Sequence, residues 1–208
     1  MSLRPAAEIL LLEAAAIEPI LRSTAQSDFD LPTVCDGWAV RDVMAHCAAA
    51  LTRTASGDLH SFSPADNQTD VDLRRGWLVA DVLDELVAGY ESAATAIDGA
   101  AGVLDGIGLG EWMHGGDIRH ALGRANAYTS EGIELALDLL IVRSASAGKP
   151  SVSVFLPDRT LAYGVGEPAG TLRTDAETFV RICGGRRPDP SRYEVGGEFD
   201  KDDLILFS

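Results

Sequence analysis

The stretch Val79-Ala80-Asp81-Val82-Leu83-Asp84-Glu85-Leu86-Val87-Ala88-Gly89-Tyr90-Glu91-Ser92-Ala93-Ala94-Thr95-Ala96-Ile97 decides the fold. Val79, Val82, Leu83, Leu86, Val87, Tyr90, Ala94 and Ile97 recur at three-and-four spacing, while Asp81, Asp84, Glu85 and Glu91 take the other side. That period belongs to an amphipathic helix with one buried face, and Gly99 and Gly102 mark its end. Such a helix needs apolar partners, and the flanking sequence supplies them. Residues 3 to 23 read as a helix burying Ile9, Leu12, Ala16, Ile20 and Leu21. A second follows Gly37-Trp38 with Val40, Val43, Met44, Cys47 and Leu51 as its stripe. Asp42 stands at N3 if Ala39 is the N-cap, and Ala39 has no side chain to cap with. A further helix contains His114 and stops near Gly123, and another runs from about Ser130 through Ile133, Leu137, Leu140 and Ile141. Long helices in succession predict a bundle. The segment from Ala55 to Gly76, rich in Ser, Asp, Gly and Asn, reads as a long loop.

Beyond Gly148-Lys149-Pro150 the pattern changes. Val152, Val154 and Leu156 alternate with Ser151, Ser153 and Phe155 as in a strand, and Pro157-Asp158-Arg159 turns into a second strand, Leu161 to Val165. Thr174-Asp175-Ala176-Glu177 has capping-box spacing before a helix of Phe179, Val180 and Ile182, which Gly184-Gly185 ends. The tail from Tyr193 to Phe207 adds a strand or a short helix.

The chain has 208 residues, 46% of them hydrophobic, enough for a core without staples. Its 32 acidic against 17 basic residues give a net charge of −15, which repels nucleic-acid phosphates, so no nucleic acid is expected as a partner. No run approaches the roughly 20 apolar residues that span a bilayer, and no basic segment precedes an apolar one at the N-terminus. The expectation is a cytoplasmic protein with no membrane association. The three cysteines, Cys35, Cys47 and Cys183, are far apart and suggest neither a disulfide framework nor a thiolate zinc site.

Two histidines carry the chemistry. His46 lies in a row with Ala39, Val43 and Ala50, whose small side chains leave room around an imidazole. Bundles build metal sites from such inward-facing side chains; a partly buried histidine bonded to Asp42 is the plain alternative. Glu111 and His114 stand three apart on one helical face, and Asp117 three further on. Asp117 would ligate or orient His114, or else pair with Arg119 or Arg124 at the surface. His60 and His120 receive no role. Cys35 precedes a helix start and is expected to pack near Trp38. Arg186-Arg187 offers an anion contact or a polar helix exit.

Cys35-Asp36-Gly37-Trp38 with Val40-Arg41-Asp42 and His46, then His114-Gly115-Gly116-Asp117-Ile118-Arg119 and Leu122-Gly123, resemble the mycothiol-dependent maleylpyruvate isomerase family of the DinB-like superfamily. The resemblance implies an α+β protein: a DinB-like metal-binding four-helix bundle over residues 1–148 and a small α/β C-terminal domain over 149–208. It implies a divalent metal, zinc with nickel as the alternative, held by His46, His114 and a glutamate four residues before the second histidine. Gly110 stands at that place, so Glu111 or Asp117 replaces the glutamate or the site lacks that ligand. It further implies mycothiol as thiol cosubstrate, a small electrophile as substrate, and Arg186 near the substrate carboxylates. The implied activity is isomerisation or thiol S-transfer by a metal-activated thiol. The alternatives are a non-catalytic DinB-like binding protein with a degraded metal site, and a metal-dependent transferase or hydrolase using another thiol or water. A homodimer is compatible with either.

Overall fold

The computed structural model describes residues 2–59 and 62–207 and divides into two compact units, one ending at Gly132 and the other beginning at Ile133. The first is helical: α1 (Pro5–Arg22), α2 (Val40–Ser56), α3 (Pro64–Arg74), α4 (Val79–Gly99) and α5 (Asp105–Ala121). α1, α2, α4 and α5 pack as the four-helix bundle, with α1 against α4 and α5 and α2 against α4 and α5. Its core is made of Ile9, Leu10 and Ile17 of α1, Val43, Met44 and Leu51 of α2, Leu86, Tyr90 and Ile97 of α4, and Leu109, Trp112 and Met113 of α5. Thus the stripe read in α4 is the one it buries. α2 begins where the sequence places it; the Asp42 carboxylate accepts from the Ala39 N–H at 2.9 Å, half of a capping box.

The long loop expected over 55–76 is in part the helix α3. Ser63 caps it, accepting from the Asp66 N–H at 3.3 Å, and Pro64 occupies its first position, where a missing N–H costs nothing. Hydrophobic periodicity could not find it, because only Val71 is buried. Polar contacts hold it instead: Arg53 pairs with Asp70 at 3.0 Å, Arg74 with Glu85, and Trp38 Nε1 donates to Gln68 at 2.9 Å. His60 lies outside the described residues.

The second unit comprises α6 (Ile133–Ser146), β1 (Pro150–Phe155), β2 (Thr160–Tyr163), β3 (Val165–Thr174), α7 (Ala176–Cys183) and β4 (Tyr193–Gly197). The strands form one sheet in the order β2-β1-β3-β4. β1 and β2 make the expected antiparallel hairpin, while β3, unseen in the sequence, pairs parallel to β1 and antiparallel to β4. Its run Val165-Gly166-Glu167-Pro168-Ala169-Gly170 is mostly exposed and has no alternation to read. α6 packs on α7 and β2, so this helix groups with the C-terminal elements, whereas composition changes only at Gly148. Asp175, not Thr174, caps α7, accepting from the Thr178 N–H at 2.9 Å. The tail holds both β4 and a short 3₁₀ turn, Lys201–Leu204, whose Leu204 carbonyl accepts from the buried Tyr163 hydroxyl at 2.6 Å. Among the described residues no helix is long and apolar enough to cross a membrane.

Candidate metal centre

α5 carries two polar faces. Glu111, Gly115 and Arg119 follow at four-residue steps along one, and His114 and Asp117, three apart, lie on the next. On the second face the ring of His114 meets that of His46 from α2, centroids 5.0 Å apart and nearly perpendicular. An edge-to-face contact at that distance brings the two rings together without by itself placing a nitrogen of each on one ion. His46 is 7% exposed, and Trp38 lies against it with ring centroids 5.1 Å apart. The two histidines expected together are neighbours, and His46 is not among the donors that cluster with His114.

The carboxylate beside His114 is Asp117. It is fully buried, and its Oδ2 lies 3.0 Å from His114 Nδ1. Oδ1 accepts from the Tyr128 hydroxyl. The alternative of a surface pair with Arg119 or Arg124 is thereby overturned. Cys35 completes the group: its Sγ is 3.3 Å from Asp117 Oδ2 and 3.8 Å from His114 Nδ1. Candidate ligand atoms of Cys35, His114 and Asp117 all lie within 4.8 Å of one another, and no other such trio occurs among the described residues. The sequence reading placed Cys35 beside Trp38 and gave it no ligand role. The residue before a turn carries no spacing signal that could have found it.

That position is built by the turn. Thr33 N–H donates to the Trp38 carbonyl at 3.0 Å and Val40 N–H to the Leu31 carbonyl at 3.0 Å, closing a short antiparallel bridge. At its tip Trp38 N–H donates to the Cys35 carbonyl at 3.0 Å, and Gly37 sits at φ +80°, which the third position of a type II turn demands. The Thr33 hydroxyl accepts from the Cys35 N–H at 3.1 Å. Cys35 is thus presented by a hydrogen-bonded loop and half-exposed.

Glu111 is turned elsewhere. α5 begins at Asp105, so Glu111 sits a full turn inside a continuous helix, and it hydrogen-bonds Cys47 of α2. Burial raises its pKa to about 8, against the Cys47 bond and with a further push from Glu13. Its Oε2 has no hydrogen-bond partner among the described residues. Glu13 of α1 is also buried; burial raises it to about 7, against the pull of Arg119, whose guanidinium lies 2.7 Å away. Arg119 also donates to the Ala127 carbonyl at 2.8 Å and to the Ser130 hydroxyl at 3.0 Å. The two glycines of the motif have steric roles. A Cβ on Gly115 would lie 1.7 Å from Glu13 Oε1, and one on Gly116 2.4 Å from the Tyr128 ring.

Arg186 belongs to the second unit, where its guanidinium donates to the Gly184 carbonyl. His120 lies near the Tyr128 ring, 6.2 Å between centroids. A separate cleft between α2, α3 and α4 is lined by Arg41, Met44, Val71, Arg74, Val79 and Val82. It includes neither histidine, and its arginines are engaged, Arg41 with the Arg75 carbonyl and Arg74 with Glu85.

Residues 10–75 match the model of the mycothiol maleylpyruvate isomerase N-terminal domain. Among solved structures the chain is similar to the mycothiol-dependent maleylpyruvate isomerase and to a histidine-to-alanine mutant of that enzyme. Each is 13% identical with a TM-score of 0.60, over 97% of this chain and 96% of that one. No curated protein matches the sequence. The domain match thus covers about a third of the chain, and the likeness to the two solved structures is one of fold.

Proposed function

We propose that this chain is a metal-dependent enzyme of the maleylpyruvate isomerase kind, using mycothiol on a small electrophile. The observation that carries the reading is the convergence of His46 and His114 from separate helices, with Cys35 and Asp117 beside them. The donor set, imidazole nitrogen with thiol sulfur and carboxylate oxygen, suits zinc best and nickel second. A cation there would lower the pKa of a bound thiol and make it a nucleophile near neutral pH.

The protein's own part is orientation and shielding. Asp117 is anchored beside His114 by the Tyr128 hydroxyl. Trp38 covers His46 and keeps water from one side of it. Arg186, whose guanidinium donates to the Gly184 carbonyl, is the arginine we assign to a substrate carboxylate. Glu111, facing Cys47, is a poorer ligand than its sequence position suggests. The reaction class is thiol addition to, or transfer onto, an electrophile, and cis–trans isomerisation of an unsaturated keto acid is its simplest member. A cytoplasmic location and a homodimer accord with this reading.

Gly110, where the family resemblance asks for glutamate, favours a second reading, a binding protein of the same fold without catalysis. Metal analysis separates the two. Near-stoichiometric zinc or nickel, lost in His46→Ala, is the expected result, whereas a metal-free protein whose melting temperature ignores chelator overturns the enzyme reading. Assays against maleylpyruvate and other electrophiles with mycothiol, bacillithiol, glutathione or no thiol then identify the cosubstrate; turnover confined to the thiol-free reaction overturns mycothiol.

A further inference from the structure

We propose that the Cys35 thiolate is itself a ligand of the cation, together with His114 and Asp117, so that this chain holds its metal through sulfur where the resemblance implies a glutamate. The inference rests on the metal reading above and goes beyond it by assigning the donor atoms.

Three observations carry it. The first is spacing. Around a tetrahedral zinc, sulfur–nitrogen and sulfur–oxygen edges are about 3.5 Å and nitrogen–oxygen edges about 3.3 Å. The corresponding separations here are 3.8 Å for Cys35 Sγ to His114 Nδ1, 3.3 Å for Cys35 Sγ to Asp117 Oδ2, and 3.0 Å for His114 Nδ1 to Asp117 Oδ2. Only shifts of a few tenths of an ångström separate this group from a coordination face. The second is charge. Loss of the Cys35 proton to solvent leaves a thiolate, a carboxylate and a neutral imidazole, whose two negative charges balance a dication. Asp117 is fully buried, and a second anion beside it would be costly without that cation. The third is construction. The Cys35 turn is tied by Thr33, Trp38 and Gly37, and Asp117 is anchored by Tyr128, so the donors are set before any ion arrives.

The alternative carboxylate, Glu111, is committed to Cys47 and does not join this trio. The other two cysteines are buried, Cys47 bonded to Glu111 and Cys183 in the second unit, and neither joins the trio. His46 touches the His114 ring but is not one of the three donors grouped here.

The test loads metal-stripped protein with cobalt(II) alone, with no added thiol, and records its electronic spectrum. The expected spectrum shows an intense near-ultraviolet thiolate-to-cobalt charge-transfer band besides the visible bands of a tetrahedral ion. The band persists in Cys47→Ala and disappears in Cys35→Ser, whose cobalt Kd rises at least about tenfold. Circular dichroism of each variant verifies that the bundle is intact. Cobalt bound with no charge-transfer band, or a band that survives in Cys35→Ser, overturns the sulfur ligand while leaving a metal centre. Failure of the unaltered protein to take up cobalt at all brings down the metal reading and this inference with it.

Discussion

The two polar faces of α5 use similar residues to opposite ends. On one, Glu111, Glu13 and Arg119 are walled in among apolar side chains, and Gly115 exists to admit the Glu13 carboxylate. On the other, His114 and Asp117 meet groups delivered by a turn and by a second helix, and the His114 side chain keeps 18% of its surface exposed. A carboxylate sealed in the core is driven toward its neutral form and serves packing. A carboxylate with several donors converging on it, next to a half-exposed histidine and thiol, can meet a ligand. All three acids are buried, so their neighbours, not residue type or their own exposure, separate Asp117 from Glu13 and Glu111.

The largest expected effect breaks the structural face. Gly115→Ala drives a methyl group into Glu13 and disturbs its pairing with Arg119, and should cost at least about 3 kcal/mol in denaturant unfolding, or abolish the cooperative transition. A small change there would mean that the helices are not locked at this crossing.

The next sharpens the contrast through pH. Glu13 and Glu111 titrate near 4.5 when unfolded, and at about 7 and about 8 in the fold. Across that window the folded chain holds more protons than the unfolded one, so stability falls as pH rises from 4.5 and levels off above about 8. Glu111→Gln cannot ionise. Measured against the parent, its relative stability should rise with pH between 4.5 and 8, and a pH-independent difference would refute the buried, proton-retaining state of Glu111.

On the functional face, Tyr128→Phe removes only the donor to Asp117 Oδ1. It should cost about 1–2 kcal/mol of stability and loosen metal binding by about tenfold, read by competition with a chelating dye. Equal stability with unchanged metal affinity would show that Asp117 needs no anchor. The smallest effect is reserved for the helix outside both faces. Ser63→Ala should cost about 1 kcal/mol or less, through fraying of α3, and leave metal binding alone.

Legibility followed hydrophobic contrast. α2 and α4 were readable because each buries one stripe, and β1 and β2 because their residues alternate, whereas α1 buries Leu10, Glu13 and Ile17 in place of Leu12, Ala16 and Ile20. α3 and β3 escaped because each buries little: Val71 in the one, Leu172 in the other. His46 and His114 stood out as lone imidazoles on helices, and the structure brings their rings together. Glu111 was read as a ligand from its three-residue offset, which is only 60° of helix. That angle suffices to turn it toward Cys47 and away from the Cys35, His114 and Asp117 group.

From the amino-acid order alone came the bundle, the hairpin and the two histidines, since periodicity and residue chemistry are local properties that survive without knowing who the neighbours are. Which acid accompanies His114, that a cysteine from a distant turn joins it, and why two glycines precede Asp117 were settled only when α1, α2 and α5 came together. Those outcomes depend on separations of a few ångströms between residues as many as 106 positions apart, such as Glu13 and Arg119, and such distances are written in no single stretch of the chain.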